Sequence, residues 1–123
     1  MTSSTVKTLS FISRKAPYGE SYAQACLDMV LSASVFEQRV NYIFMDDGVY
    51  QLMKNQHPAA IESKNLASVI STLELYGIDH LYVEKESLSN RGLKEHDLAM
   101  KVITVSCQEI SDFIEKSDMV FNL

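Results

Sequence analysis

The order of apolar and polar positions in the first half of the chain predicts a strand, a helix and a second strand. Residues 6–12 are β-branched and apolar and break at Ser13, which is typical of a strand followed by a loop. From residue 20 to about residue 36 apolar residues recur at helical spacing, and Glu20 suits the positive end of the helix dipole. Residues 40–45 predict a buried strand that ends in a polar turn. The helix stripe consists of Tyr22, Cys26, Met29, Val30 and Ala33.

The second half of the chain continues this alternation. A helical stripe precedes Gly77, where a left-handed C-terminal cap is expected. Residues 80–84 and 99–105 predict the third and fourth strands, and residues 87–91 between them predict a short helical turn that Gly92 stops. The helical stripe consists of Leu66, Val69, Ile70, Leu73 and Tyr76.

A last helix and a last strand complete the pattern. Ser106 and Glu109 have the spacing of a capping box, which begins a helix, and residues 119–123 predict a short strand. Strands that alternate with helices predict a three-layer, doubly wound α/β domain with a mostly parallel five-stranded sheet. We expect a single domain over residues 1–123, with residues 1–4 flexible. The inward-facing residues of the last helix are expected to be Ile110, Phe113 and Ile114.

The composition fits this domain and restricts its partners. A chain of 123 residues can bury roughly two thirds of its unfolded surface. The formal net charge is −5, and residues 61–123 carry the whole excess, with six basic and eleven acidic residues. Because nucleic-acid affinity depends on basic side chains that neutralise phosphates, direct binding of RNA or DNA is not expected.

The sequence also indicates a cellular compartment. No targeting segment is visible, and no apolar run approaches the roughly 20 residues that cross a bilayer. Two cysteines, Cys26 and Cys107, cannot form a disulfide framework and suggest a reducing environment. We therefore expect a cytoplasmic protein with no membrane anchor.

Of the two thiols, Cys107 has the more reactive predicted position. As the first residue of a helix it would face the positive end of the helix dipole, which favours the thiolate that sulfur transfer needs. Glu109 opposes this effect, and many residues at helix starts have no chemical role. Cys26 lies on an apolar stripe, which is typical of a small buried hydrophobic residue.

The loops after the first two strands contain further polar candidates. Arg14 and Lys15 precede a helix N-terminus and could hold an anion, although no dinucleotide or P-loop glycine pattern is present, and a structural loop is the alternative. Asp46 and Asp47 could coordinate magnesium, or simply form a turn. The histidines have no recognised ligand spacing, so no metal is expected. No cofactor is expected either. Apolar loop residues that could mark a subunit contact are Tyr18, Tyr50 and Met53.

Three strand-end motifs occur in order along the chain. Residues 13–19 have the form Ser-x-x-x-Pro-Tyr-Gly, residues 44–52 read Phe-Met-Asp-Asp-Gly-Val-Tyr-Gln-Leu, and residues 87–93 read Ser-Leu-Ser-Asn-Arg-Gly-Leu. Together they resemble the DsrE/DsrF/TusD/TusC family of sulfur-relay proteins and, within it, the TusC-like (DsrF-like) branch. The resemblance extends over residues 5–123.

The resemblance implies a DsrE-like fold and a place in a heterohexamer with TusB-like and TusD-like subunits. In such a relay a TusA-like carrier delivers persulfide sulfur and a TusE-like carrier passes it to a thiouridylase. The product is the 2-thiolated wobble uridine (mnm5s2U) of tRNAs for Lys, Glu and Gln. In related DsrF proteins the relay serves sulfur oxidation instead, which is an open alternative.

The resemblance also implies that this chain is not itself an enzyme. Counting back from Arg91 and Gly92, the position of the acceptor cysteine in TusD-like subunits corresponds to Tyr82, and tyrosine cannot carry a persulfide. A structural subunit without a catalytic residue is therefore expected, in which Arg91 and Gly92 shape a loop. Two alternatives are an active sulfurtransferase with Cys107 as persulfide acceptor and an anion-binding module built on Arg14 and Lys15.

Overall fold

Parallel strands alternate with helices along the chain, as the hydrophobic pattern predicts. A computed structural model describes residues 6–17, 22–54, 61–78 and 80–123. The expected flexible residues 1–4, together with Tyr18 and Glu20, lie outside these ranges. In the described part, the strands are β1 (Thr8–Ser13), β2 (Arg39–Phe44), β3 (Leu81–Glu84), β4 (Ile103–Val105) and β5 (Met119–Asn122). The α-helices there are α1 (Tyr22–Val35), α2 (Ile61–Ile70), α3 (Lys85–Asn90) and α4 (Cys107–Lys116). Short 3-10 helices lie at Asp46–Leu52, Leu73–Tyr76 and Glu95–Asp97.

The five strands form one sheet in the order β4-β3-β2-β1-β5, and every neighbouring pair is parallel. In the centre, Phe11 of β1 lies opposite Tyr42 of β2 on one side and Phe121 of β5 on the other. Because all strands run the same way, their C-terminal ends meet at one edge of the sheet and their N-terminal ends at the other. We call these the carboxyl edge and the amino edge.

Helices cover both faces of the sheet, so the predicted three-layer α/β architecture is confirmed. On one face, Phe11, Tyr42 and Phe44 pack against the buried residues of α1 and α2. On the other face, Ile110 of α4 packs on a separate cluster formed by Ile12, Ile43 and Val105. The capping box that begins α4 is also confirmed: Glu109 accepts from the Ser106 amide at 2.9 Å, and Ser106 Oγ accepts from the Glu109 amide at 3.1 Å.

Several predicted core positions are wrong at the ends of helices. Tyr22, Val69 and Tyr76 are exposed, as is Ile114 in the second half of α4. The stripe that ends at Tyr76 fails because α2 ends at Ile70 and a 3-10 helix follows, whose tighter winding rotates later side chains off the helical stripe. Gly77 adopts a φ of +87°, so the predicted left-handed cap is confirmed.

The fourth strand is shorter than predicted, because the segment before it pairs elsewhere. The Ala99 amide donates to the Leu52 carbonyl at 2.8 Å, and Leu98 forms an antiparallel bridge with Met53. The chain therefore joins β3 only from Ile103 onward. Among the described helices, none is both long and apolar enough to cross a bilayer.

Candidate functional site at the carboxyl edge

The carboxyl ends of β1, β2 and β3 meet in a set of hydrogen-bonded polar side chains, which we call the carboxyl-edge network. It joins the loop after β1, the 3-10 helix after β2 and the start of α3. Its members are Ser13, Arg14, Asp46, Asp47, Gln51, Glu84, Ser87 and Arg91.

Ser87 links the ends of β2 and β3. The Asp46 amide donates a 2.8 Å hydrogen bond to Ser87 Oγ, and Ser87 Oγ donates in turn to the carboxylate of Glu84. Both Glu84 and Ser87 are buried. Asp46 has a φ of +51°, a left-handed conformation that short polar residues tolerate better than others. Because a buried carboxylate is costly without a partner, Ser87 stabilises Glu84 in the folded state.

Gly48 allows the 3-10 helix to approach β1. A Cβ atom at this position would lie 2.0 Å from the carbonyl oxygen of Ser13, which is inside the distance of any real contact. The glycine of the second motif is therefore required by close backbone approach. It brings Gln51, on the same 3-10 helix, within reach of the loop after β1.

Gln51 is fully buried and connects the second motif to the first. Its side-chain Nε2 donates to Ser13 Oγ at 2.7 Å and to the Lys15 carbonyl at 2.9 Å. Since a carbonyl only accepts, Lys15 fixes the orientation of the amide group. Oε1 is buried and has no hydrogen-bond partner among the described residues.

Two ion pairs form the exposed rim of the network. Arg14 Nη2 lies 2.9 Å from Asp46 Oδ2, and Arg91 Nη2 lies 2.9 Å from Asp47 Oδ1. Arg91 also donates to the Ser87 carbonyl at 3.1 Å and lies 6.0 Å from the centre of the Tyr50 ring. The arginines thus fix the first turn of the 3-10 helix to its neighbours.

These ion pairs involve the residues that the sequence offered as magnesium ligands and as anion-binding cations. Asp46 and Asp47 contact arginines, and the described residues contain no group of three or more His, Cys, Asp or Glu side chains that could hold a metal ion. Of the proposed anion-binding cations, Arg14 pairs with Asp46, and Lys15 Nζ lies 5.7 Å from the centre of the Tyr22 ring.

The two cysteines occupy different environments. Cys26 is buried in α1, where its thiol is hydrogen-bonded with the side chain of Ser13. Burial raises the pKa of this thiol to about 11, although the hydrogen bond acts in the opposite direction. Cys26 is therefore protonated at neutral pH and is a buried hydrophobic residue, as its place on the apolar stripe predicts. Cys107 is exposed at the first position of α4.

Tyr82 lies outside the carboxyl-edge network. It is in the middle of β3, half-buried, with its ring centre 4.6 Å from that of Phe113 in α4 and 6.3 Å from that of His80. The residue at the carboxyl end of β3 is Glu84. The whole strand, Leu81–Glu84, contains no cysteine.

The sequence identified only part of this site. The loops at the carboxyl ends were expected to gather functional residues, and Asp46, Asp47 and Arg91 do meet there. Gln51 and Ser87 lie inside the recognised motifs, but no pattern in the sequence indicates a role for either side chain. The missed signal for Glu84 was a carboxylate at the end of an otherwise apolar strand. Tyr50 and Met53, expected to be exposed contact residues, are half-buried.

The sheet is parallel throughout, and the three strand-end motifs meet in one polar network at its carboxyl edge. These features define a class of parallel α/β domains with a polar site at the carboxyl ends of the strands. The model of the DsrE/DsrF-like family matches residues 7–123, and the chain belongs to this family.

Bacterial relatives match over nearly the whole chain. A Pseudomonas aeruginosa protein named "Protein TusC homolog" is 37% identical over 117 residues, which cover 95% of this chain and 98% of the relative. The "Intracellular sulfur oxidation protein DsrF" of Allochromatium vinosum is 36% identical over 134 residues, which cover 98% of this chain and 98% of the relative. "Protein TusC" of Buchnera aphidicola is 35% identical, with 95% and 99% covered.

A solved structure supports the fold. The crystal structure of the ychN protein from E. coli superposes with a TM-score of 0.82, covering 96% of this chain and 100% of that one. The sequence identity is 18%, so this likeness concerns the DsrE-like fold alone.

Proposed function

We propose that this chain is a non-catalytic structural subunit of a cytoplasmic sulfur-relay complex that serves 2-thiolation of the wobble uridine in tRNAs for Lys, Glu and Gln. The observation that carries the proposal is the 37% identity, over nearly the full length of both chains, to a relative named for TusC. Its partners are TusB-like and TusD-like subunits in a heterohexamer. TusA-like and TusE-like carriers bring and remove the sulfur, and this chain touches neither nucleic acid nor membrane.

The distribution of thiols supports a non-catalytic role. A persulfide acceptor has to be a cysteine, and β3 contains none at Tyr82 or at any other position. Cys26 has a raised pKa and is enclosed by α1 and the sheet, so it offers no nucleophile. The carboxyl-edge network holds hydroxyl, amide, carboxylate and guanidinium groups instead. Its role is to shape the surface next to a partner's cysteine.

We assign the contact with these partners to the carboxyl edge. The side chains of Arg14 and Asp46 are each about two-fifths exposed although they are paired. Gly48 and Gln51 hold the backbone beneath them in a fixed arrangement. A rigid, charged rim of this kind suits a partner loop with complementary charges, because little conformational freedom is lost when it binds.

Co-expression with TusB-like and TusD-like subunits, followed by mass measurement of the intact complex, tests the proposal. We expect a heterohexamer that contains this chain. Arg14→Glu places a second carboxylate beside that of Asp46, so the two repel each other. We expect the dissociation constant of the complex to rise at least tenfold. The control is Asp112→Lys, a charge reversal on the exposed side of α4 that lies in neither of the two edges. Purification of this chain without either partner would contradict the assignment.

A second candidate is a subunit of a sulfur-oxidation complex, because the DsrF relative of Allochromatium vinosum is nearly as similar as the TusC relatives. Deletion of the gene distinguishes the tRNA-thiolation relay from the sulfur-oxidation complex. Loss of 2-thiouridine from tRNA supports the thiolation relay. Unchanged tRNA thiolation with impaired growth on reduced sulfur supports the oxidation complex.

A third candidate function is an active sulfurtransferase with Cys107 as the persulfide acceptor. Its supporting observation is that Cys107 is exposed at the first position of α4. Such a thiol is accessible to a persulfide donor and lies at the positive end of a helix dipole. Measurement of sulfur on this chain, with Cys107→Ser as the comparison, decides between this candidate and the structural subunit.

A further inference from the structure

The strongly exposed hydrophobic side chains lie at the amino edge, opposite the carboxyl-edge network. In the described part of the chain, all the large hydrophobic residues that are more than half exposed either precede a strand or begin one. They are Val6, Val35, Phe36, Leu75, Tyr76 and Met119. Exposed apolar groups concentrated at one edge indicate a protein contact surface rather than random exposure.

Phe36 is presented by a fixed turn. The next residue, Glu37, has a φ of +57°, which is rare for a residue with a side chain and persists only when its surroundings hold it. Gln38 supplies that support: its Nε2 donates to the Phe36 carbonyl at 3.1 Å, and its Oε1 accepts from the Lys7 amide at 2.8 Å. The backbone that carries the exposed ring is therefore fixed before any partner arrives.

A cleft of about 430 Å³ lies beside this ring. Its walls include Val6 and residues 37–41 on one side, and Gly77, Ile78 and Tyr82 on the other. A cavity of about 150 Å³ already accommodates a benzene ring. The cleft therefore has room for an aromatic side chain from another molecule.

The charges around this surface are balanced, unlike those of the whole chain. Among the described residues at this edge, Lys7, Arg39 and Lys101 are exposed together with Glu37, Glu74 and Asp118, which gives three charges of each sign. A second copy of a chain with net charge −5 is repelled by most of the surface, but not by this balanced region. The mixture of signs also allows this surface to be complementary to itself.

We propose that the amino edge is a twofold contact with a second copy of this chain, in which Phe36 of each copy occupies the cleft of the other. A protruding ring and a recess large enough to receive it, adjacent on one surface, are what a twofold interface requires, since each copy donates and receives the same contact. The proposal does not depend on the proposed function. It leaves the carboxyl edge of both copies free for other subunits.

Sedimentation equilibrium of the purified full chain at micromolar concentrations tests this. We expect a dimer of the 13.9 kDa chain. Phe36→Glu places a charge in the partner's cleft and is expected to raise the dissociation constant at least a hundredfold. The matched control is Val69→Glu on the exposed side of α2, which is expected to leave it within threefold. Circular dichroism checks that both variants are folded.

A monomeric wild-type chain at every concentration, or a dimer that survives Phe36→Glu, overturns the proposal. Hydrogen exchange at high and low concentration locates the contact. Protection on dimerisation is expected in residues 36–40 and 75–78, and protection confined to the carboxyl edge contradicts the assignment. If the chain alone is monomeric while Phe36→Glu disrupts a complex with a different subunit, the amino edge binds that subunit and the second copy is the wrong occupant.

Discussion

Nε2 of Gln51 lies 2.7 Å from Oγ of Ser13, so a fully buried amide joins the 3-10 helix after β2 to the end of β1. The same nitrogen donates to the Lys15 carbonyl, which belongs to the loop that carries Arg14. Two of the family motifs thus act as one unit, because a residue of the second motif fixes the backbone of the first. This unit supports the charged rim to which we assign the partner contact.

Replacement of Gln51 by leucine tests this link. Gln51→Leu keeps the volume but leaves Ser13 Oγ and the Lys15 carbonyl without their donor, so we expect the free energy of unfolding to fall by about 1 to 3 kcal/mol. Urea unfolding measures the change. Gln24→Ala removes an exposed amide that contacts Asp28, and it is expected to stay within about 0.5 kcal/mol of wild type. Equal losses in the two variants would show that the buried amide has no special role.

Gly48 is predicted to be intolerant of any side chain. In Gly48→Ala the new methyl group overlaps a backbone oxygen, which cannot rotate away as a side chain can, so we expect a loss of about 3 kcal/mol. Gly92→Ala is the comparison: its φ of +67° costs about 1 kcal/mol, but nothing lies within 4 Å of the added atom. Thermal unfolding of both variants ranks the two costs, and an equal or larger loss for Gly92→Ala contradicts the close approach.

Ser87 is expected to stabilise the end of β3 through Glu84. Ser87→Ala leaves the Asp46 amide and a buried carboxylate without their shared partner, and about 2 to 3 kcal/mol of stability should be lost. The double variant Ser87→Ala with Glu84→Gln removes the charge and should recover part of that loss. The control Ser71→Ala removes an exposed hydroxyl bonded only to its own helix and should change little. If the double variant is less stable than Ser87→Ala, the buried charge is not the source of the loss.

The raised pKa of Cys26 predicts how stability depends on alkaline pH. The unfolded thiol loses its proton near pH 9.0, whereas the folded thiol keeps it to about pH 11, so the unfolded state binds fewer protons between these values. Stability is therefore fully present below pH 9 and falls as the pH rises toward 11. Between pH 8 and pH 10 we expect a loss of about 1 kcal/mol from this residue.

Cys26→Ala provides the control for the alkaline effect. The variant is less stable at every pH because it loses packing, but its stability should fall less steeply between pH 8 and pH 10 than that of wild type. Tyr42, whose pKa burial raises well above 10.0, contributes the slope that is left at the upper end. Parallel curves for wild type and variant would rule out Cys26 as the titrating group.

The sequence predicted the fold well where hydrophobic period and local chemistry agree. The alternation of buried strands with helices, the left-handed Gly77 and the capping box at Ser106 all depend on a few neighbouring residues. Tyr76 was misplaced because a change from α-helix to 3-10 helix alters the period without a marked change in composition. The start of β4 was misplaced because residues 98 and 99 pair with the segment after the second motif, a contact between distant parts of the chain.

The sequence predicts where the candidate site lies, but it identifies only some of the residues that form it. Parallel strands bring their carboxyl ends together, so the loops that carry Asp46 and Arg91 were expected to meet. The roles of Gln51 and Ser87 depend on distances across the sheet, which hydrophobic patterning does not encode. The exposed apolar surface was expected at the carboxyl edge, around Tyr50 and Met53. It lies at the amino edge instead, around Phe36.

The location of the transferred sulfur shows whether this chain is a structural subunit or a sulfur carrier. The co-expressed complex is incubated with a persulfide donor, and the intact mass of each subunit is measured without reductant. We expect a gain of about 32 Da, the mass of one sulfur atom, on a partner subunit and no gain on this chain. A gain of that size on this chain, which disappears in Cys107→Ser, would contradict a non-catalytic role and establish it as a sulfur carrier.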